Sequence, residues 1–72
     1  MTKNKRIIRF ITYYRTQKYK HRGKLRELIS EACEFKGGTF DYKMENQNYS
    51  ELQLTAIEKI IQDHKDGKIE VL

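Results

Sequence analysis

The chain has 72 residues, a single cysteine and a formal net charge of +5. A chain of this length buries only about 60% of its unfolded surface, so we expect one small domain over residues 1–72, whose core a homodimer would enlarge. The lone cysteine excludes an intrachain disulfide framework, and no stretch approaches the roughly 20 apolar residues of a membrane span, so we expect a soluble cytoplasmic protein with no membrane partner.

The charge is distributed very unevenly along the chain. Residues 1–26 hold ten Lys or Arg and no acidic residue, whereas residues 27–72 hold five basic and ten acidic residues. We refer to these parts as the basic segment and the acidic remainder. Such asymmetry predicts a polyanionic partner.

Residues 6–14, RIIRFITYY, are dense in isoleucine, threonine and aromatic residues. This composition favours a β-strand. A helix over about residues 1–19 is the alternative, because Ile7, Ile11 and Tyr14 also share helical spacing.

Two further elements are predicted next along the chain. Residues 24–35 predict a helix, ended by Gly37 and Gly38, because the apolar residues recur at helical spacing. That apolar face comprises Leu25, Leu28, Ile29, Ala32 and Phe35. Residues 39–44, TFDYKM, alternate between polar and apolar side chains and so predict a half-buried strand.

Residues 50–64 predict the best-defined helix, with Ser50 as its cap and Gln53 completing a capping box. Its apolar face is formed by Leu54, Ile57, Ile60 and Ile61. After a turn at Asp66 and Gly67, residues 68–72 alternate as a last strand. The order strand, helix, strand, helix, strand predicts an α+β fold, with two helices on one face of a three-stranded sheet.

Residues 12–24, TYYRTQKYKHRGK, combine five basic residues and three tyrosines without one acid. Like charges this close repel one another, and phosphates would relieve that repulsion, while tyrosine or arginine could stack on bases. We therefore expect a small non-enzymatic protein that binds RNA or single-stranded DNA and contacts phosphates through residues 15–26 and the amino terminus of the first helix. We expect Gly23 to cap the first helix and to hold a phosphate with Lys24. The candidate nucleic-acid-binding residues are Arg9, Tyr13, Arg15, Lys18, Tyr19, Lys20, Arg22, Gly23, Lys24 and Arg26.

Two other interpretations remain open for the basic segment. It could be a plain solvated loop, or the chain could be a small regulator that docks on an acidic protein surface. In the second case the first strand would add to a partner's sheet edge through Arg9, Ile11 and Tyr13. Nucleic-acid binding, in contrast, predicts that affinity falls about a thousandfold between about 50 and 200 mM salt for six phosphate contacts.

Signals for catalysis, metals or cofactors are weak in this sequence. A zinc site needs about four ligands at suitable spacing, and the only candidate nitrogen and sulfur ligands are Cys33, His21 and His64. Cys33 beside Ala32 is typical of a buried, inert thiol. Three acids on one helix, Glu27, Glu31 and Glu34, are typical of a solvated face. We therefore expect no enzyme, no metal and no cofactor.

Overall fold

The computed structural model describes residues 3–71, and within this range the chain forms helices but no β-strand. The helices are α1 (Lys3–Thr16), α2 (Tyr19–Cys33), α3 (Thr39–Asn46) and α4 (Glu51–Lys65). The predicted α+β fold with its three-stranded sheet is therefore wrong. The predicted strand at residues 68–72 is irregular over residues 68–71, and residue 72 lies outside the described range.

The predicted first strand is helix α1, which shows that the alternative helical pattern was the correct one. Ile7, Phe10 and Ile11 are buried along one helical stripe, whereas Ile8 is 54% exposed. In a strand, whose side chains alternate between two faces, Ile8 and Phe10 would lie inside and Ile7 and Ile11 outside. The strand propensity of single residues is a weak guide when helical spacing lets the same residues bury a continuous face.

The predicted strand at residues 39–44 is also helical. Phe40 and Met44, four residues apart, are both buried in the core, while Tyr42 between them is 61% exposed. The hydroxyl of Thr39 donates to the carbonyl of Lys36 at 2.6 Å at the start of this helix. Strict alternation over six residues thus concealed an i, i+4 pair, which defines a helical face.

Helices α2 and α4 were predicted correctly in kind, although α2 begins five residues earlier than expected. It ends at Cys33, and Glu34 takes the left-handed conformation with φ 58°. The capping box of α4 is confirmed: the Ser50 hydroxyl accepts from the Gln53 amide at 3.1 Å, and the Gln53 side chain accepts from the Ser50 amide at 3.0 Å. Each bond satisfies an amide that the helix itself leaves unpaired.

The core lies where α4 packs against α1 and α2, and its centre is aromatic. Tyr49, in the loop before α4, is 1% exposed and places its ring 5.7 Å from that of Phe10 and 6.4 Å from that of Phe35. Its hydroxyl finds no hydrogen-bond partner among the described residues. Burial, with a smaller contribution from Cys33, raises the pKa of Tyr49 to about 12. The phenol therefore stays neutral at any physiological pH.

Side-chain contacts give the directions of the three longer helices. Arg6 bonds to Glu58 and Tyr13 bonds to His64, so α1 and α4 run side by side in the same direction. His21, near the start of α2, contacts His64, so α2 begins where α4 ends. The end of α1, the start of α2 and the end of α4 therefore meet at one end of the molecule. We name residues 15–24 at this end the basic corner.

The start of α2 at Tyr19 leads to a test at Gly23, which lies inside the helix instead of at its cap. A Cβ added there would meet nothing within 4 Å, and the backbone conformation suits an L-residue. Gly23→Ala should therefore raise the free energy of unfolding by about 0.5–1 kcal/mol, because alanine restricts the unfolded chain and favours helix. Urea unfolding followed by circular dichroism measures this change.

The matched control for this test is Gly67→Ala. Gly67 has φ 75°, a conformation that alanine tolerates poorly, so this variant should lose stability. A loss of stability in Gly23→Ala as well would contradict a helix that begins at Tyr19. It would instead match a cap at Gly23, where alanine is unfavourable.

Candidate nucleic-acid interface

The basic corner is built around the amino terminus of α2. Lys18 is the N-cap, with extended backbone at φ −68° and ψ 159°, and its side chain makes no capping hydrogen bond. The amides in the first turn of a helix have no partner within it, and no acidic residue stands in this turn. The positive end of the helix dipole therefore lies among basic side chains, which is the unfavourable arrangement.

The positive charges of the basic corner are not neutralised within the described part of the chain. Two cations of the basic segment, Arg6 and Arg26, form ion pairs there with carboxylates. Six others form no ion pair with any residue from 3 to 71: Arg9, Arg15, Lys18, Lys20, Arg22 and Lys24. Five of these six lie in the basic corner, which therefore carries most of the uncompensated charge of the segment.

Two side chains of the corner add more specific features. Tyr19 is 82% exposed, so most of its ring is open to solvent at the first turn of α2. The Nε of Arg22 is shielded from solvent but finds no hydrogen-bond acceptor in the described part of the chain. A shielded donor without an acceptor is uncommon in folded proteins, so this Nε–H is an unfavourable feature of the corner.

Acidic residues also approach this surface. Glu27 and Glu70 line the same shallow depression as Lys20 and Lys24, with a volume of about 350 Å³. None of these carboxylates comes within 4.0 Å of the two lysines. The lysine side chains therefore keep their capacity to bind an anion, although the nearby acids reduce the local positive potential.

Three of the predicted site residues have other roles. Gly23 lies one turn inside α2, so its amide is not a free helix-terminal donor. Arg26 makes two hydrogen bonds to Asp41, at 3.0 and 2.9 Å, and its guanidinium carbon lies 5.2 Å from the centre of the Phe40 ring. It therefore joins α2 to α3. The hydroxyl of Tyr13 is hydrogen-bonded to His64.

The predicted docking strand is absent as well. Within residues 3–71 there is no strand to extend a partner's sheet, and Ile11 is only 6% exposed. The trio of Arg9, Ile11 and Tyr13 therefore does not form one surface, because a helix turns Ile11 toward the core and Arg9 toward solvent.

A hydrogen-bonded chain that was not predicted links the three helices beside the basic corner. The Tyr13 hydroxyl lies 2.5 Å from Nδ1 of His64, and Nε2 of His64 lies 2.8 Å from Nδ1 of His21. With both imidazoles neutral, Tyr13 donates to His64 and His64 donates to His21. With both protonated, two N–H groups would face each other across 2.8 Å, so the chain is incompatible with two charges. The sequence separations of 51 and 43 residues left no local signal.

The thiol of Cys33 is a potential nucleophile. Cys33 is half-buried, burial raises the pKa of its thiol, and its Sγ lies 3.9 Å from the carbonyl of Gln53. A protonated thiol is a poor nucleophile. Among residues 3–71 no group of three or more His, Cys, Asp or Glu side chains is placed to hold a metal ion.

Comparisons with protein-family models, with curated protein sequences and with solved structures gave no match to this chain. No helix within residues 3–71 is long and apolar enough to cross a membrane.

The histidine chain leads to a prediction about pH. Burial, and secondarily the charge of His21, lowers the pKa of His64 below its ordinary value of 6.5. As pH falls, the unfolded state therefore takes up a proton on His64 before the folded state does. Neutral His64 contributes fully to the free energy of unfolding above about pH 6.5, and this contribution is lost as pH falls through the lowered pKa. The free energy of unfolding should be smaller at pH 5 than at pH 7, as measured by urea titration.

The control for this prediction is His64→Gln, which removes the titrating group. In this variant the free energy of unfolding should change less between pH 5 and 7. Glu58 titrates below this range, because its hydrogen bond with Arg6 is the main cause of its lowered pKa. Stability that increases on acidification from pH 7 to 5 would contradict the lowered pKa of His64.

Proposed function

We propose that this protein is a small non-enzymatic nucleic-acid-binding protein, which contacts the phosphates of RNA or single-stranded DNA at the basic corner. The observation that carries the proposal is the cluster of cations without internal ion pairs at the start of α2. Lysine and arginine that bind phosphates release condensed counterions, which supplies most of the affinity of such proteins.

The first turn of α2 supports the proposal with a site for one phosphate. Its amides are unpaired within the helix, and Lys18, Lys20 and Arg22 surround them along the chain. An anion there would accept from the amides and offset the misplaced charges. The same group would thus relieve two unfavourable features of the free protein.

Exposed aromatic surface supports single strands over duplexes. Tyr19 projects from the same turn and is 82% exposed. A ring in this position can stack on an unpaired base, while a base in a duplex is already stacked on its neighbours. Phosphate contacts carry no sequence information, so any sequence preference should be modest.

The phosphate contacts are tested by fluorescence anisotropy with labelled single-stranded RNA, single-stranded DNA and duplex at 50 and 200 mM salt. We expect single strands to bind more tightly than duplex, with affinity falling about 10²- to 10³-fold for six contacts on a single strand. The triple variant Lys18→Gln, Lys20→Gln, Lys24→Gln should reduce the slope of log affinity against log salt by about 2.

The matched control carries the same charge change elsewhere: Lys3→Gln, Lys36→Gln, Lys43→Gln. None of these lysines forms an ion pair with a described residue, so the control variant should keep the wild-type slope. Absence of binding to all three nucleic acids at 50 mM salt would overturn the proposal. Equal losses in the two triple variants would show attraction to net charge instead of binding at the basic corner.

A second prediction concerns stacking at Tyr19. Tyr19→Ala should weaken binding to a single strand by about 5- to 100-fold, while the salt slope stays unchanged, because stacking involves no counterion release. Tyr19→Phe should retain most of the affinity. Tyr42→Ala, at a tyrosine that is 61% exposed on α3, is the control and should bind as the wild type does. A loss in the control equal to that of Tyr19→Ala would contradict a stacking role for Tyr19.

A further inference from the structure

A cleft of about 200 Å³ lies between α1 and α4, next to the basic corner. Two stripes with the same helical spacing face each other across it. Arg6, Arg9, Phe10 and Tyr13 contribute from α1, and Glu58, Ile61, Gln62 and Lys65 contribute from α4.

The floor and the mouth of the cleft differ in chemistry. Phe10 and Ile61 are 2% and 8% exposed, so the floor is apolar. Arg9 and Lys65 line the cleft too, and neither forms an ion pair with a residue between 3 and 71. The cleft therefore combines an apolar surface with two cations that have no carboxylate partner in the described part of the chain.

The acid in the cleft is already neutralised. Both oxygens of Glu58 accept from Arg6, at 3.1 and 2.6 Å, and Arg6 also bonds to Glu51. These bonds, and to a smaller extent the charge of Arg9, hold the pKa of Glu58 below its ordinary range. Arg9 lines the same cleft as Glu58. An incoming anion therefore meets net positive charge.

Tyr13 forms a fixed wall of the cleft. Its hydroxyl is bound by His64, its ring meets the His64 ring edge to face at 81°, and the ammonium of Lys65 lies 4.9 Å from its centre. A ring restrained on several sides loses little freedom when a ligand binds. Lys65 keeps donors free for an anion, because a ring contact uses the charge but not all three N–H groups.

We propose that this cleft binds one nucleotide unit of a single strand, with its base against Phe10 and Ile61 beside Tyr13 and its phosphate between Arg9 and Lys65. The volume is smaller than the roughly 300–1,000 Å³ of pockets for drug-sized ligands, so it suits one planar ring system. This inference rests on the proposed function and extends the interface from the basic corner to α4.

The histidine chain makes the two regions continuous. The ring of His64 is 5.8 Å from that of Tyr13 on the cleft side and 5.0 Å from that of His21 on the α2 side. One imidazole thus separates the cleft wall from the first turn of α2. Consecutive nucleotides of one strand can therefore occupy the first turn of α2 and the cleft.

The test uses the full chain, labelled with ¹⁵N, and two probes: uridine 5′-monophosphate and a ten-nucleotide single-stranded RNA. Both probes should shift the backbone amide signals of Phe10, Ile61 and Gln62. In the double variant Arg9→Gln, Lys65→Gln, these shifts should disappear, the affinity for the RNA should fall about tenfold, and the salt slope should decrease by about 1. The double variant Lys36→Gln, Lys43→Gln is the control, and circular dichroism confirms that both variants fold.

The outcomes separate the cleft from the basic corner. RNA binding that leaves the cleft amides unmoved and is unaffected by Arg9→Gln, Lys65→Gln overturns the cleft site, while the basic corner stands. Absence of RNA binding to the wild-type chain at 50 mM salt overturns the proposed function and the cleft with it. Equal losses in the cleft and control variants also overturn the cleft site, since only net charge would then matter.

Discussion

The structure depends on which side of α1 is buried. Ile7, Phe10 and Ile11 face the core along a helical stripe, and this orientation determines the position of every polar residue between them. Arg6 and Tyr13 fall on the flank toward α4, where they bond to Glu58 and His64. Arg9 falls between them at the edge of the cleft. In a strand, Ile7, Arg9, Ile11 and Tyr13 would share one face, and neither the cleft nor the polar contacts of α1 would exist.

Polar contacts at both ends of the α1–α4 pair compensate for a thin core. Small domains bury a modest share of their surface, so apolar packing alone leaves neighbouring helices weakly specified in register. Arg6 with Glu51 and Glu58 connects the helices at one end, and Tyr13 with His64 connects them at the other. Moving either helix by one turn would break both contacts together. Such contacts define a register more than they add stability, because ion pairs exposed to solvent are screened and contribute little.

The sequence was sufficient for features that depend on nearby residues and insufficient for those that depend on distant ones. The sequence alone predicted the capping box at Ser50, the apolar face of α4 and the uneven distribution of charge. Residues 6–14 fit both helical and strand periods, so only tertiary packing could decide between them. The ion pair of Arg26 with Asp41 and the contact of His21 with His64 join residues 15 and 43 positions apart. No local pattern marks either pair. From the sequence alone, Arg26 could not be distinguished from the basic residues that form no ion pair within residues 3–71, and the cleft could not be predicted.

At the end of the molecule that holds the basic corner, basic residues stabilise one helix and destabilise another, because one helix ends there and the other begins. His64 and Lys65 stand in the last turn of α4, where positive charge is favourable, whereas Lys18, Lys20 and Arg22 stand at the start of α2, where it is unfavourable. The second group lowers the stability of the free protein, since like charges repel and the dipole adds to that repulsion. The proposed phosphate would offset both effects. The charges that weaken the fold are therefore those proposed to bind the ligand, and because a ligand that binds only the folded state stabilises it, the proposal links binding to folding at this corner.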